Sequence, residues 1–136
     1  MNDEPATTTL PDRQPTLRIL ATSTNTNASG DIFGGWVMSQ VDIAGSIAAY
    51  RRAQGRVVTV AVNSFQFRRP VFVGDLISCY ADVVRVGRTS ITVDVQVYAE
   101  RERLEHQCIK VTEATLTYVA VDGDRKPREV PGRPSD

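Results

Sequence analysis

Hydrophobic positions recur along this chain with two different periods. Over residues 90–100 they alternate cleanly: Ile91, Val93, Val95 and Val97 against Thr92, Asp94 and Gln96. That is the pattern of a strand with one wet face. Residues 76–86 put Ile77, Cys79, Ala81 and Val83 on one side. Residues 57–67 begin with Val58, Val60 and Val62 on one face and continue with Phe65 and Phe67 on the other parity. The change of phase near Asn63 predicts a bulge or a sharp coil in a long strand. A last strand is predicted at 108–121, with Glu113, Thr115 and Thr117 on its wet side, and a short first one at 16–20. Between the first and second strands lies GWVMSQVDIAGSIAAYRR, residues 35–52, free of proline and of helical length, ~27 Å. Gly55 supplies a stop, and Arg51 and Arg52 suit the negative end of the helix dipole.

The order is therefore a short strand, one long helix, and four long strands with short links, which make antiparallel neighbours. One helix against one antiparallel sheet is a two-layer α+β domain. The helix is apolar nearly all round (Trp36, Val37, Met38, Val41, Ile43, Ala44, Ile47, Ala48), so the sheet is expected to wrap and enclose it. Residues 1–15, with Pro5, Pro11 and Pro15, and residues 122–136, with Pro127, Pro131 and Pro134, read as a flexible arm and a flexible tail around a domain at 16–121.

Composition narrows the function. The 136 residues are 41% hydrophobic, enough for a core, and the formal net charge is zero. A nucleic-acid partner is not expected from that balance. No apolar run approaches the ~20 residues that cross a bilayer, and no apolar stretch marks a secretory signal, so a cytoplasmic place away from membranes is expected. Cys79 and Cys108 read as buried free thiols. A single histidine, His106, excludes most zinc sites and leaves a Ser-His-Asp hydrolase without support.

Asp42 is the anomaly. It is the only charged residue between Asp31 and Arg51 and it sits mid-helix. An unpaired buried carboxylate costs several kcal/mol, so something must compensate for it. Gly35, Ser39, Asp42, Ser46 and Ala49 recur at helical spacing as one stripe of small and polar residues, fit to face a crevice or a second subunit. A strand arginine paired with Asp42 is the plainer alternative. Gly34 and Gly35 open the helix, where free amides and the dipole polarise a carbonyl oxygen. Asn27 lies in the preceding polar loop, where Asn25, Thr26 and Ser29 are equally eligible for turns. Arg68-Arg69 and the turn Gly87-Arg88-Thr89-Ser90 are basic or Gly-polar strand ends, of the kind that hold phosphates or simply face solvent.

The run N-x-x-G-D-I-F-G-G-W-x-M-S-Q-x-D, residues 27–42, resembles the YciA-type acyl-CoA thioesterases of the hotdog-fold superfamily. The likeness continues through G-R-V-V-T-V-A-V (55–62), P-V-x-V-G-D (70–75), V-G-R-T-S-I (86–91) and T-Y-V-A-V-D (117–122). It implies a long helix wrapped by a curved antiparallel sheet, dimers joined edge to edge, and a trimer of such dimers, with active sites at the dimer interface. It implies that Asp42 is the catalytic carboxylate, as general base or nucleophile, and that Asn27 reaches the site from the partner subunit. The amides near Gly34 and Gly35 would polarise the thioester. Coenzyme A would follow Arg56, Val58 and Thr59 and the turn Gly87, Arg88, Thr89 and Ser90. No metal or separate cofactor is implied, since coenzyme A is part of substrate and product. Two other readings remain at this stage: hydration of an enoyl-CoA, with His106 as the partner of an acid, and a non-catalytic acyl-CoA-sensing module.

Overall fold

A computed structural model describes residues 7–102 and 105–132. Five strands and one helix follow in the order β1 (Leu17–Leu20), α1 (Gly34–Ala53), β2 (Val57–Phe67), β3 (Leu76–Val86), β4 (Ser90–Glu102) and β5 (His106–Ala120). All strand pairs are antiparallel, and the sheet order is β1-β3-β4-β5-β2. β3, β4 and β5 are successive neighbours, as their short links require. β2 is not beside β3 but pairs with β5 at the opposite edge. The link between β2 and β3 is held along its length. The amides of Arg68 and Arg69 donate to Val111 O, and Val71 O accepts from Ile32 N. The chain then turns at Asp75, whose carboxylate meets Arg101 Nη2 at 2.8 Å in a buried pair.

The strict alternation of β4 survives folding: Ile91, Val93, Val95 and Val97 are all fully buried under the helix. The phase change in β2 resolves into two bulges, at Val60 and Asn63, where β2 gains a residue over β5. Each bulge re-aims the strand, so both parities of β2 carry apolar side chains.

The helix is a turn-end richer than its sequence pattern. Its left-handed terminus falls on Gln54 (φ 54°), whose amide donates to Tyr50 O. Gly55 serves another need: a Cβ there would meet the Arg128 guanidinium at 2.7 Å. Arg128 Nη2 donates to Ala53 O and so satisfies a carbonyl the helix leaves open.

Two points refine the expectations. First, within a single chain the sheet wraps one side of α1. Val37, Val41, Ala44, Gly45 and Ala49 pack on it, while Met38, Ile43 and Tyr50 stay exposed. A single five-stranded sheet covers one side of a rod, and the other side faces out. Second, the described parts of the arm and tail are docked. Thr8 N donates to Cys108 O, Leu10 packs on Tyr80, Tyr98 and Cys108, and Arg13 grips Asp82 through two 2.7 Å bonds. At the other end Val130 is buried, and its amide donates to Arg88 O. Average composition hides a single apolar anchor in a polar segment. Residues 1–6 and 133–136 lie outside the described residues. Cys79 and Cys108 are both free and buried, and burial pushes the Cys79 thiol up to about 12.

Candidate active site

The site is built from one face of α1 and the two strands beneath it. Asp42 is half-buried on the helix, and no cation pairs with it among the described residues. Its compensation comes from neutral hydroxyls. Thr59 Oγ1 donates to Asp42 Oδ1 at 2.8 Å, and Tyr118 OH donates to the same oxygen at 3.0 Å. The strand arginine that could have explained the acid is absent from it.

The sheet register brings those two hydroxyls together. Thr59 on β2 is the cross-strand partner of Tyr118 on β5, immediately before the Val60 bulge. Directly opposed residues project to the same face of a sheet. Tyr118 is fully buried, and its hydroxyl also donates to the Asp42 main-chain oxygen at 3.0 Å. Burial, and then the adjacent Asp42 carboxylate, push the Tyr118 phenol well above its ordinary range. Toward Asp42 it is the donor. Gly45 makes this approach possible: a Cβ there would collide with the Tyr118 hydroxyl. Sequence reasoning placed Thr59 on a coenzyme path and passed over Tyr118 and Gly45. The available signal was a tyrosine on the inward parity of β5, whose hydroxyl needs a partner once buried.

Two turns toward the amino end, Gly34 and Gly35 begin α1. Trp36 N and Val37 N both donate to Phe33 O, at 3.1 and 3.3 Å, and no side chain caps this terminus. The glycine amides thus have no helical acceptor, and no acidic residue offsets the positive end of the dipole. A Cβ at Gly35 would meet open space, whereas one at Gly34 would press on the Phe67 ring at 3.1 Å. Seven residues separate Gly35 from Asp42, ~10 Å of helix on nearly one face.

Toward the carboxyl end the same stripe continues through Ser46 to a cleft of about 320 Å³, lined by Ser46, Ile47, Tyr50, Arg51, Arg56 and Val57. The turn 87–90 lies at this end of the sheet, because Thr89 O accepts from Ala120 N and Arg56 O from Val121 N. Gly87 N closes the turn on Ser90 O at 2.8 Å. Arg56 is exposed, Val58 is half-buried in pairing with Val119, and Arg88 meets Glu129 at 3.3 Å, both well exposed.

Asn27 is not brought to Asp42 of its own chain. Its Oδ1 accepts from Ser29 N at 2.9 Å and Asp31 N at 3.1 Å, the turn-holding role open to any such asparagine. His106 lies at the β4–β5 turn, bonded to Glu102 at 2.7 Å. It is twelve residues along β5 from Tyr118, roughly 40 Å at the usual strand rise. No group of three metal-binding side chains exists among the described residues, and none of their helices is long and apolar enough to cross a membrane.

A half-buried carboxylate without a cation, an uncapped helix start and a cleft beside Ser46 thus lie along one helix of a helix-and-sheet frame. Residues 29–106 match the family model of the thioesterase superfamily. The chain is 51% identical over 123 residues to the acyl-CoA thioester hydrolase YciA of Salmonella typhimurium, covering 89% of this chain and 92% of that one. Among solved structures, a hexameric hotdog fold thioesterase of Campylobacter jejuni aligns with a TM-score of 0.84 and 48% identity, over 87% of this chain and 90% of that one. A hexameric thioesterase from Yersinia pestis aligns at 0.83 and 49%, over 91% and 100%. The chain belongs to the thioesterase superfamily, has the hotdog fold, and falls with its YciA-type acyl-CoA thioester hydrolases.

Proposed function

We propose that this protein hydrolyses acyl-CoA thioesters to a carboxylic acid and free coenzyme A, with Asp42 as the general base. The observation that carries the reading is the state of that carboxylate: half-buried, with no ion pair among the described residues, and stabilised on one oxygen only. A carboxylate held this way keeps its second oxygen for a water molecule. The thioester oxygen rests on the Gly34 and Gly35 amides, where negative charge develops as water attacks. Water passes a proton to Asp42 as its oxygen bonds to the acyl carbon. The carbon–sulfur bond then breaks, and the coenzyme thiolate leaves and is protonated. Attack by Asp42 itself, through a mixed anhydride, uses the same free oxygen.

The coenzyme runs along the stripe into the cleft by Tyr50 and Arg56, with Val58, Thr59 and the turn Gly87, Arg88, Thr89 and Ser90 at that end. Asn27 acts in the site of a second subunit. Supporting assembly, β2 is a sheet edge with exposed Val60 and Val62, beside exposed Met38 and Ile43 on α1. An unpaired edge flanked by apolar side chains is a surface for another copy. The related thioesterases of Campylobacter jejuni and Yersinia pestis are hexamers, and a trimer of dimers suits this chain.

The test is thiol release from a panel of acyl-CoAs by the purified protein and by Asp42→Asn. Turnover by the wild type that disappears in the variant, with acyl-CoA binding retained, supports the reading. Full turnover in Asp42→Asn overturns the role of Asp42. Binding without turnover by the wild type makes the protein an acyl-CoA sensor. Enoyl-CoA hydration loses its second group, because His106 sits at the far turn of the sheet.

A further inference from the structure

We propose that Tyr118 is a positioning residue for catalysis: its buried hydroxyl locks the Asp42 carboxylate in one orientation, so that a single oxygen is presented to water. The inference rests on reading Asp42 as the base. Three independent observations meet at this hydroxyl. Its single proton is shared between Asp42 Oδ1 and the main-chain oxygen of the same residue, each at 3.0 Å, bridging side chain and helix. A bridge of this kind fixes the side-chain torsions relative to the helix axis. The hydroxyl reaches the helix only because residue 45 is glycine, one turn beyond the acid. Its ring is fully buried between β4 and β2, paired with Ile91 on one side and Thr59 on the other, so it cannot swing away.

The division of labour on the carboxylate follows. Oδ1 receives the Thr59 and Tyr118 hydroxyls and is filled, and the described residues place no donor on Oδ2. The groups that face Asp42 from β2 and β5 are those two neutral hydroxyls, and no charged side chain pairs with it among the described residues. Thr59 belongs to the exposed edge strand, whereas Tyr118 belongs to the interior. The interior hydroxyl is therefore the rigid member of the pair. A base held in one rotamer loses no orientational freedom on reaching the transition state.

The experiment is Tyr118→Phe, compared with wild type and Asp42→Asn in thiol release across pH. With the ring retained and only the oxygen removed, kcat is expected to fall about ten- to hundred-fold with KM little changed, the size expected for a lost hydrogen bond to a charged group. The acid limb of the kcat profile is expected to move to higher pH, because a donor to the ionised form is gone. A role confined to packing would lower thermal stability and leave that limb in place, and such a result overturns the proposal. Incorporation of 3-fluorotyrosine at position 118, a stronger donor with the same ring, is expected to move the acid limb the opposite way and covers the case in which Tyr118→Phe folds poorly. No movement there also overturns it. If Asp42→Asn is inactive and Tyr118→Phe behaves as wild type, this inference alone fails; if Asp42→Asn is active, the base assignment fails.

Discussion

Replacing Gly45 by alanine sets two effects of opposite sign against each other. At an open mid-helix position the change stabilises by about 1 kcal/mol, since glycine gives up more backbone freedom on folding. Here the added methyl would lie on the Tyr118 hydroxyl, with ring carbons at 3.0 and 3.2 Å. Tyr118 is fully buried. Overpacking of this kind costs about 1–3 kcal/mol. Displacing the hydroxyl also forfeits its one donated proton, shared between Asp42 Oδ1 and the Asp42 main-chain oxygen and worth about 1 kcal/mol. The net expectation is destabilisation of about 1–3 kcal/mol. Removing the oxygen first relieves the closest contact, so Gly45→Ala in a Tyr118→Phe background should cost at least about 1 kcal/mol less than in the wild type. Urea denaturation followed by the fluorescence of Trp36, the chain's single tryptophan, measures all four members of the cycle. Protomer concentration must be held fixed, because assembly contributes to stability. A Gly45→Ala protein as stable as wild type, or a strictly additive cycle, would refute the close approach on which the Tyr118 argument stands.

Three further outcomes are expected. Arg101→Ala removes the guanidinium that bonds the buried Asp75 carboxylate at 2.8 Å and should cost about 1.5–3 kcal/mol, read as a lowered urea midpoint; Arg101→Lys should recover only part, because it lacks the fork that also reaches Pro70 O. Val62→Lys puts a charge on the exposed β2 edge and should shift the protein toward smaller species in light scattering, while a variant with unchanged mass would show that this edge does not carry assembly. The His106 imidazole is raised from 6.5, chiefly by its bond to Glu102 and further by the Glu102 and Glu100 charges. A raised base stabilises the fold fully below 6.5 and loses that contribution as pH rises through the folded value. His106→Gln should therefore remove a small decline in stability just above pH 6.5, measurable by denaturation at a series of pH values, and an identical decline in the variant would show that another group causes it.

Local pattern was enough for the elements themselves. The period of two in β4 and β3 named the inward side chains, because a half-buried strand has no other way to hide apolar surface. The parity change in β2 announced irregularity there, although two bulges stand where one was expected. Asp42 was conspicuous because a lone acid in an oily helix needs an explanation, whatever the fold. Gly34 and Gly35 were legible as a helix entry with free amides. Thr59 was found for another role, since nothing near it in the chain says that its hydroxyl meets an acid seventeen residues away. The docking of Leu10 and Val130 escaped notice for the same reason: one apolar residue in a polar segment becomes an anchor only where a matching hollow waits.

What the chain alone determined is therefore whatever depends on neighbours within a few residues: helix length, strand parity, turn positions and the oddness of Asp42. The tertiary structure decided which strand lies beside which. It put β2 at the edge next to β5, set Thr59 against Tyr118, and turned an unsupported carboxylate into one held by two hydroxyls. Those contacts join residues up to 76 positions apart. Their register is fixed by the packing of the whole sheet on the helix, and no window of sequence short enough to be read by period contains both partners.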